Sequence, residues 1–225
     1  MNNLQKAGGI SAIISAAAYV FAIGLFATLM MPMADANLPI RDYMAFFVPN
    51  KLLVFLWTFS MYIIHGVTLV VLVLAVHERL KSHSPRLSVI AAAFGFIWTS
   101  FVLLSGFINI WGNEALIALW QKSEAQSETF KTSLNLITLG VDSSDRLLGG
   151  LWVTLVSLAA FRNKIFPKAF NLFGLVLGSL ALLLGLIMPV NDSSASMLLG
   201  LGAIVWWLAI GIYMICQPTL MQKVE

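Results

Sequence analysis

Few residues of this sequence can do chemistry, and most of them lie inside long apolar stretches. His65 lies near the middle of the second stretch and shares a helical stripe with Lys51, Thr58 and Tyr62. A polar side chain is costly in apolar surroundings unless it has a partner or a function. We therefore predict that this stripe faces the interior of a helix bundle, with His65 and Tyr62 in contact with a ligand or His65 in a proton relay. The alternative is a neutral histidine that donates one hydrogen bond to a neighbouring helix.

Asp142, Asp145 and Arg146 form the densest charge cluster near an apolar stretch. Asp142 and Arg146 are four residues apart with the acid first, the favourable order for an ion pair on a helix. In one interpretation the cluster is the mouth of a cavity that binds a cation or a polar ligand. In the other, Asp142 and Arg146 form an ion pair at the start of the helix, and Asp145 is solvated. Ser105 and Asn109, four residues apart, are candidate partners of these carboxylates, although structural hydrogen bonding also explains them.

Tryptophans occupy unusual places along the chain. Trp98, Trp152, Trp206 and the adjacent Trp207 fall near the middle of three different apolar stretches. An interfacial belt would instead place tryptophans at the two membrane surfaces. If these rings converge with His65, they line an aromatic pocket. The alternative is that they fill packing gaps or face lipid.

The elements that position these residues follow from composition. The chain has 225 residues, of which 60% are hydrophobic and only 10% are charged. A surface so poor in charge suits lipid, and each span then needs about 20 mostly apolar residues in a helix. Six stretches qualify, and we predict an all-α, six-helix transmembrane bundle in a single domain. The spans are approximately 8–31, 51–76, 87–111, 134–161, 169–188 and 195–216.

The distribution of Lys and Arg predicts the orientation of the bundle. The short basic connections 79–86 and 162–168 are expected on the cytoplasmic side, together with both chain ends, including Lys223 and Glu225. Most acids, Asp192 among them, then lie outside. The first apolar run is longer than the core of a signal peptide, so we expect an uncleaved first span. The expected location is the inner membrane of a bacterial cell.

The connection between the third and fourth spans, 112–133, is the only long one. Residues 113–120 are apolar and aromatic enough to lie at the outer interface. From Phe130 a helical pattern resumes, so the fourth helix is expected to begin before the membrane and to bend at Gly140. We predict a partly amphipathic outer loop at 112–133.

Several function classes are disfavoured. The histidines are His65, His77 and His83, too few and too scattered for a catalytic metal site. The single cysteine, Cys216, excludes an intramolecular disulfide. No basic patch interleaved with aromatic residues indicates a nucleic-acid surface. We therefore expect no metal, no cofactor and no nucleic acid, and an enzyme is not favoured.

Small residues at helical spacing indicate close helix contacts. They are found at Gly174, Gly178 and Gly185, at the pair Gly149 and Gly150, and along the first span. Such spacing lets helix backbones approach closely in lipid. Packing within the chain is the first interpretation, and homo-oligomer formation is the alternative.

The sequence also resembles a known family. The segments LGGLW (148–152), FRNKIFPK (161–168) and LFGLVLG (172–178) resemble the family catalogued as domain of unknown function 4386, most closely over 147–178. The resemblance implies a small prokaryotic membrane protein with six helices. It implies no established activity, so no catalytic residues are carried over.

These observations favour a binding protein. We expect an intrabundle cavity that binds or passes a small hydrophobic or amphipathic molecule, with candidate ligand contacts at His65, Tyr62, Trp98, Asn109, Asp142, Asp145, Arg146, Trp152 and Trp206. A first alternative is an accessory subunit that docks a membrane partner through its small-residue faces. A second is a membrane enzyme that acts on lipid, with Asp142 or Asp145 as the general base.

Overall fold

The computed structural model describes residues 3–35, 38–187 and 193–217. Within these ranges the chain forms helices and no strand. The helices are α1 (Asn3–Leu25), α2 (Ile40–Phe47), α3 (Lys51–Thr58), α4 (His65–Leu80), α5 (Pro85–Trp120), α6 (Glu124–Arg162), α7 (Lys168–Ile187) and α8 (Ser193–Cys216). A π-helical turn and a 3-10 turn extend α1 to Ala34, and the π-helical turn Phe59–Ile64 joins α3 to α4 in one continuous helix.

Six helical segments are long and apolar enough to cross a membrane, which confirms the predicted fold class. They are Asn3–Met33, Lys51–Leu80, Pro85–Trp120, Glu124–Arg162, Lys168–Leu186 and Met197–Cys216. Many large apolar side chains point outward, and Leu52, Leu136 and Leu198 are each about 70% exposed. Such a surface is unfavourable in water and suits lipid, as expected of a multi-pass membrane protein.

The connection between the third and fourth spans differs from the prediction. Residues 112–133 do not form an outer loop, because α5 runs on to Trp120 and α6 already begins at Glu124. The two helices continue as a hairpin because they still pack together there, with Leu134 directly against Gly112. The Ser123 side chain caps α6 by accepting a hydrogen bond from the backbone N–H of Gln126. Helix α6 remains helical through Gly140.

The short helix α2 and the α5–α6 hairpin form one end of the bundle, which we call the cap end. Ion pairs join Arg41 to Glu124 at 2.8 Å and Lys51 to Glu114 at 2.7 Å. The Lys131 ammonium donates a hydrogen bond to the carbonyl oxygen of Leu38. Beneath these contacts lies a small apolar core of Met30, Ile40, Met44, Phe47, Val54 and Leu116. The cap end is therefore held by polar contacts over its own core.

The opposite end, which we call the basic end, carries the connections 81–84 and 163–167 and both ends of the described chain. Arg79 bridges the two chain ends, since its Nη1 donates hydrogen bonds to Oε1 of Gln5 and to the carbonyl oxygen of Gln217. This places both ends on the side of the basic connections, as the predicted orientation requires. That this side is cytoplasmic remains a prediction. Asp192, Lys223 and Glu225, which entered that prediction, lie outside the described residues.

Helices α6 and α7 are in backbone-to-backbone contact through glycines. A Cβ atom added at Gly178 would lie 2.8 Å from the carbonyl oxygen of Gly150, and one at Gly150 would lie 2.7 Å from that of Gly178. Further along the seam, Gly174 packs on Ser157 and Gly185 packs on Leu147. These small-residue faces are thus used inside the chain, as the first interpretation of the spacing predicted.

The end of α6 offers a stability prediction. Lys164, just after the C-cap Asn163, has φ of 54°, a left-handed conformation that a side chain makes unfavourable. Glycine adopts this conformation without steric cost and is the usual residue at this position after a helix. We expect Lys164→Gly to raise the free energy of unfolding by about 0.5–1 kcal/mol. A denaturant titration followed by tryptophan fluorescence measures this change, and destabilisation by the glycine would contradict it.

Candidate functional site

A cavity of about 220 Å³ lies between the helices, bordered by α1, α5, α6, α7, α8 and the π-helical turn before α4. Its wall has three parts. One part is charged, formed by Asp142, Asp145 and Arg146 of α6. A second is aromatic, formed by Tyr19, Tyr62, Trp98, Trp206 and Trp207. The third consists of glycine, alanine and larger aliphatic residues, most of them on α6, α7 and α8.

The carboxylates of the charged part are held from α5. Ser105 Oγ donates a hydrogen bond of 2.9 Å to Oδ1 of Asp142, and the Trp98 indole N–H donates one of 2.5 Å to Oδ1 of Asp145. The predicted partnership of Ser105 with this cluster is therefore present. Asp142, Asp145 and Arg146 all have intermediate exposure, so the cavity is not sealed around them.

The predicted ion pair between Asp142 and Arg146 is absent. The ion pairs among the described side chains join other residues, and Arg146 takes part in none of them. The hydrogen bond from Ser105 holds the Asp142 carboxylate against α5, across the helix interface. Asp145 is not simply solvated, because it accepts the Trp98 indole. The structure therefore favours the interpretation of this cluster as part of a cavity wall.

His65 lies directly behind the aromatic wall and does not line the cavity. It is fully buried, and its ring centroid lies 4.5 Å from that of Trp207, 4.9 Å from that of Tyr19 and 5.8 Å from that of Trp98. Neither ring nitrogen has a hydrogen-bond partner among the residues that the structure describes. The simple alternative of a histidine bonded to a neighbouring helix is thus not what the structure shows. His65 supports the three rings that face the cavity.

The mid-span tryptophans converge, as the pocket interpretation predicted. Trp152 is 1% exposed and packs between Trp98 and Trp206, with ring centroids 5.5 and 5.4 Å away. Trp98 and Trp206 line the cavity, whereas Trp152 lies behind them. Gly149 makes room for this arrangement, since the Trp98 ring lies where its Cβ would be. Tyr62 of the π-helical turn also lines the cavity.

The stripe predicted on the second span faces the bundle interior except at Lys51, and it contains the π-helical turn Phe59–Ile64. Lys51 is exposed at the cap end, where it pairs with Glu114, while Thr58 and His65 are buried. A π turn adds one residue to the local repeat and rotates the residues that follow. Such turns occur frequently at functional sites.

Asn109 belongs to a different cavity. It lines a second space of about 200 Å³ toward the cap end, together with Asp35, Trp57, Asn113 and Lys131. Its own side chain donates a hydrogen bond back to the carbonyl oxygen of Ser105. Asn109 is therefore not a partner of the Asp142 cluster, because it lies one helical turn beyond Ser105 and faces the other cavity.

The sequence did not identify Tyr19 or the small residues of the cavity wall, and Trp207 was not among the candidate contacts. Tyr19 lies among the small residues of α1 that suggested only packing, yet its ring joins His65 to Trp207. The small residues of the wall include Gly150 and Gly178, whose spacing in the sequence indicated only a contact between helices. The close contact between α6 and α7 at these two glycines therefore also borders the cavity. The one available signal was the adjacency of Trp206 and Trp207. Neighbouring side chains leave a helix in different directions, so two adjacent tryptophans together cover a wide part of its surface.

The cavity wall contains two carboxylates that could contribute to a metal site. Among the described residues, no three side chains of His, Cys, Asp or Glu converge where they would hold an ion. The two cavity carboxylates are accompanied by Arg146 rather than by a third ligand. The cavity thus combines a few charged groups with apolar and aromatic side chains.

Comparison with known proteins gives a family and no close relative. The family model described as Domain of unknown function (DUF4386) matches residues 7–217, which include all six spanning segments apart from the first residues of α1. No curated protein and no solved structure matches the chain. The match extends the resemblance from 147–178 over nearly the whole chain. The chain therefore belongs to the family of the domain of unknown function DUF4386.

Proposed function

We propose that this protein binds, or passes, a small amphipathic molecule in the cavity between α1, α5, α6, α7 and α8. The observation that supports the proposal best is the composition of the cavity wall. Ligand sites are mostly apolar concavities with a few convergent polar groups. Here the charged groups lie on one turn of α6, and aromatic side chains form much of the rest of the wall. An amphipathic molecule matches both parts.

The size of the cavity limits the ligand. An engineered apolar cavity of about 150 Å³ in another protein binds benzene. At about 220 Å³, this cavity accepts a compact body somewhat larger than benzene. The proposed location is the bacterial inner membrane, with the basic end in the cytoplasm. That orientation places the cap end and the second cavity on the outer side.

Filling the cavity should abolish binding. Ala203 of α8 lines the cavity, and a phenyl ring at this position occupies the space that a ligand needs. We expect Ala203→Phe to weaken binding of a compact amphipathic probe, adamantylammonium or adamantanol, by about tenfold or more. The measurement is isothermal titration calorimetry of the protein in phosphatidylcholine nanodiscs, with empty nanodiscs subtracted.

The matched control is Val205→Phe on the same helix. Val205 is 55% exposed on the outer surface, so the added ring enters lipid and leaves the cavity unchanged. We expect Val205→Phe to bind like the wild type. Equal binding by the wild type and Ala203→Phe, or no saturable binding of either probe, would contradict the proposed function.

A further inference from the structure

We infer that the cavity selects a monocation: an organic ammonium group, held at Asp142 and Asp145, that carries a compact apolar body. The inference rests on the proposed function and assigns the chemical class of its ligand. It derives from the charge balance of the cavity, the unused acceptor capacity of its carboxylates and the aromatic residues in its wall.

The charge balance points to a single positive charge. The cavity wall carries two carboxylates, Asp142 and Asp145, and one guanidinium, Arg146, a formal excess of one negative charge. An uncompensated charge at such a site is costly, and charged groups inside a membrane pair with one another or mark the path of a substrate or ion. A monocationic ligand brings the formal charge of the site to zero. A zwitterion leaves the excess unchanged, and an anion doubles it.

The carboxylates have free acceptor capacity. An ionised carboxylate offers about four lone-pair positions. Among the described residues, Asp142 accepts one side-chain hydrogen bond, from Ser105, and Asp145 accepts one, from Trp98. Both donors are neutral, and neither carboxylate has an ion pair within the described part of the chain. An ammonium group has several N–H donors and can engage both carboxylates at once.

The aromatic wall suits the same ligand. Trp98 and Tyr62 line the cavity on one side, and Trp206 and Trp207 line it on another. The face of an aromatic ring attracts a cation, and desolvation strengthens the attraction. The rings are held in place from behind, because His65 and Trp152 are both buried against them. Their fixed orientation lowers the cost of ordering the site when a ligand binds.

The test compares three probes with one adamantane body: adamantylammonium, adamantanol and adamantanecarboxylate. Binding to the full chain is measured by titration calorimetry in nanodiscs of zwitterionic phosphatidylcholine. We expect the ammonium to bind about tenfold or more tightly than the alcohol, with the carboxylate weakest. A proton on one carboxylate would also neutralise the site, and the alcohol would then bind as tightly as the ammonium. That result would overturn the inference.

Charge variants test the same point in opposite directions. Asp142→Asn and Asp145→Asn keep an oxygen that accepts the hydrogen bond from Ser105 or Trp98, and each is expected to remove most of the preference for ammonium over alcohol. Arg146→Gln removes the competing cation and is expected to increase that preference. The matched control is Asp42→Asn, which removes an exposed acid on α2 and is expected to leave the preference unchanged.

The outcomes separate the inference from the proposed function. Saturable binding that Ala203→Phe removes, without preference for ammonium, overturns the inference and leaves the proposed function standing. Tightest binding of the carboxylate overturns the inference as well. Binding of no probe, or binding that Ala203→Phe does not affect, overturns both. A preference for ammonium that falls in the two Asn variants and rises in Arg146→Gln supports both.

Discussion

Replacing Arg79 with alanine is expected to lower the free energy of unfolding by about 4 kcal/mol, through the cavity left behind and the lost polar contacts. Arg79 is 2% exposed and joins α4 to α1 and to the end of α8 by its hydrogen bonds to Gln5 and Gln217. Its guanidinium carbon also lies 5.1 Å from the ring centroid of Tyr213 and 5.5 Å from that of Phe166. Alanine removes these contacts together and leaves the buried side-chain oxygen of Gln5 without this donor.

The measurement is unfolding in detergent, followed by tryptophan fluorescence. Arg86→Ala is the matched control, since Arg86 is an exposed arginine at the same end of the bundle. We expect the control to change stability by less than about 0.5 kcal/mol. Arg79→Lys keeps the charge but not the planar group that stacks on rings, and should be intermediate. If Arg79→Met were as stable as the wild type, Arg79 would stabilise the fold through the volume of its side chain and not through its polar contacts.

Replacing Gly178 with alanine is expected to destabilise the fold by about 3 kcal/mol, because the added methyl group meets backbone atoms of α6 as well as the Thr154 side chain. The new Cβ would lie 2.8 Å from both the Gly150 carbonyl oxygen and the Thr154 backbone nitrogen. Helix α7 would have to move away from α6 to relieve these contacts. The same movement would change the cavity, since Gly150 and Gly178 both line it.

Gly140→Ala is the matched control for this substitution, since both glycines lie within helices. No atom lies within 4 Å of the position where a Cβ would stand at Gly140. Alanine is the better helix former, so we expect the control to be neutral or to gain up to about 1 kcal/mol. Equal stability of the two alanine variants would show that the α6–α7 contact tolerates separation.

The six spans were predictable because each is a local property of the sequence. An apolar run long enough to cross a bilayer has only one common way to satisfy the hydrogen-bonding groups of its backbone, which is to form a helix. The hairpin beyond the third span was not predictable in this way. Residues 112–133 were expected to form an outer loop, yet α5 runs to Trp120 and α6 begins at Glu124, because the two helices continue to pack on each other.

The candidate site was predicted in part. Asp142, Asp145, Trp98 and Trp206 were identified because charges and tryptophans are unusual in apolar stretches, and the structure brings them together around one cavity. His65 and Trp152 were placed in the cavity itself, but they support its wall from behind. Asn109 was assigned to this cluster by its spacing from Ser105, yet it faces the second cavity. Spacing along one helix shows which residues share a face of that helix. The neighbouring helices decide which residues or cavity that face contacts.

The sequence by itself determined that this protein is a bundle of apolar helices, and which residues in it are chemically unusual. Both follow from composition and periodicity along the chain. The tertiary structure decided which of these residues share a cavity, that Arg146 takes no carboxylate partner among the described residues, and that Tyr19 joins the aromatic wall. The physical reason is that a cavity lies between helices, so its wall depends on how closely the backbones approach and on the rotation of each helix, as at the α6–α7 glycine contact and the π-helical turn before His65.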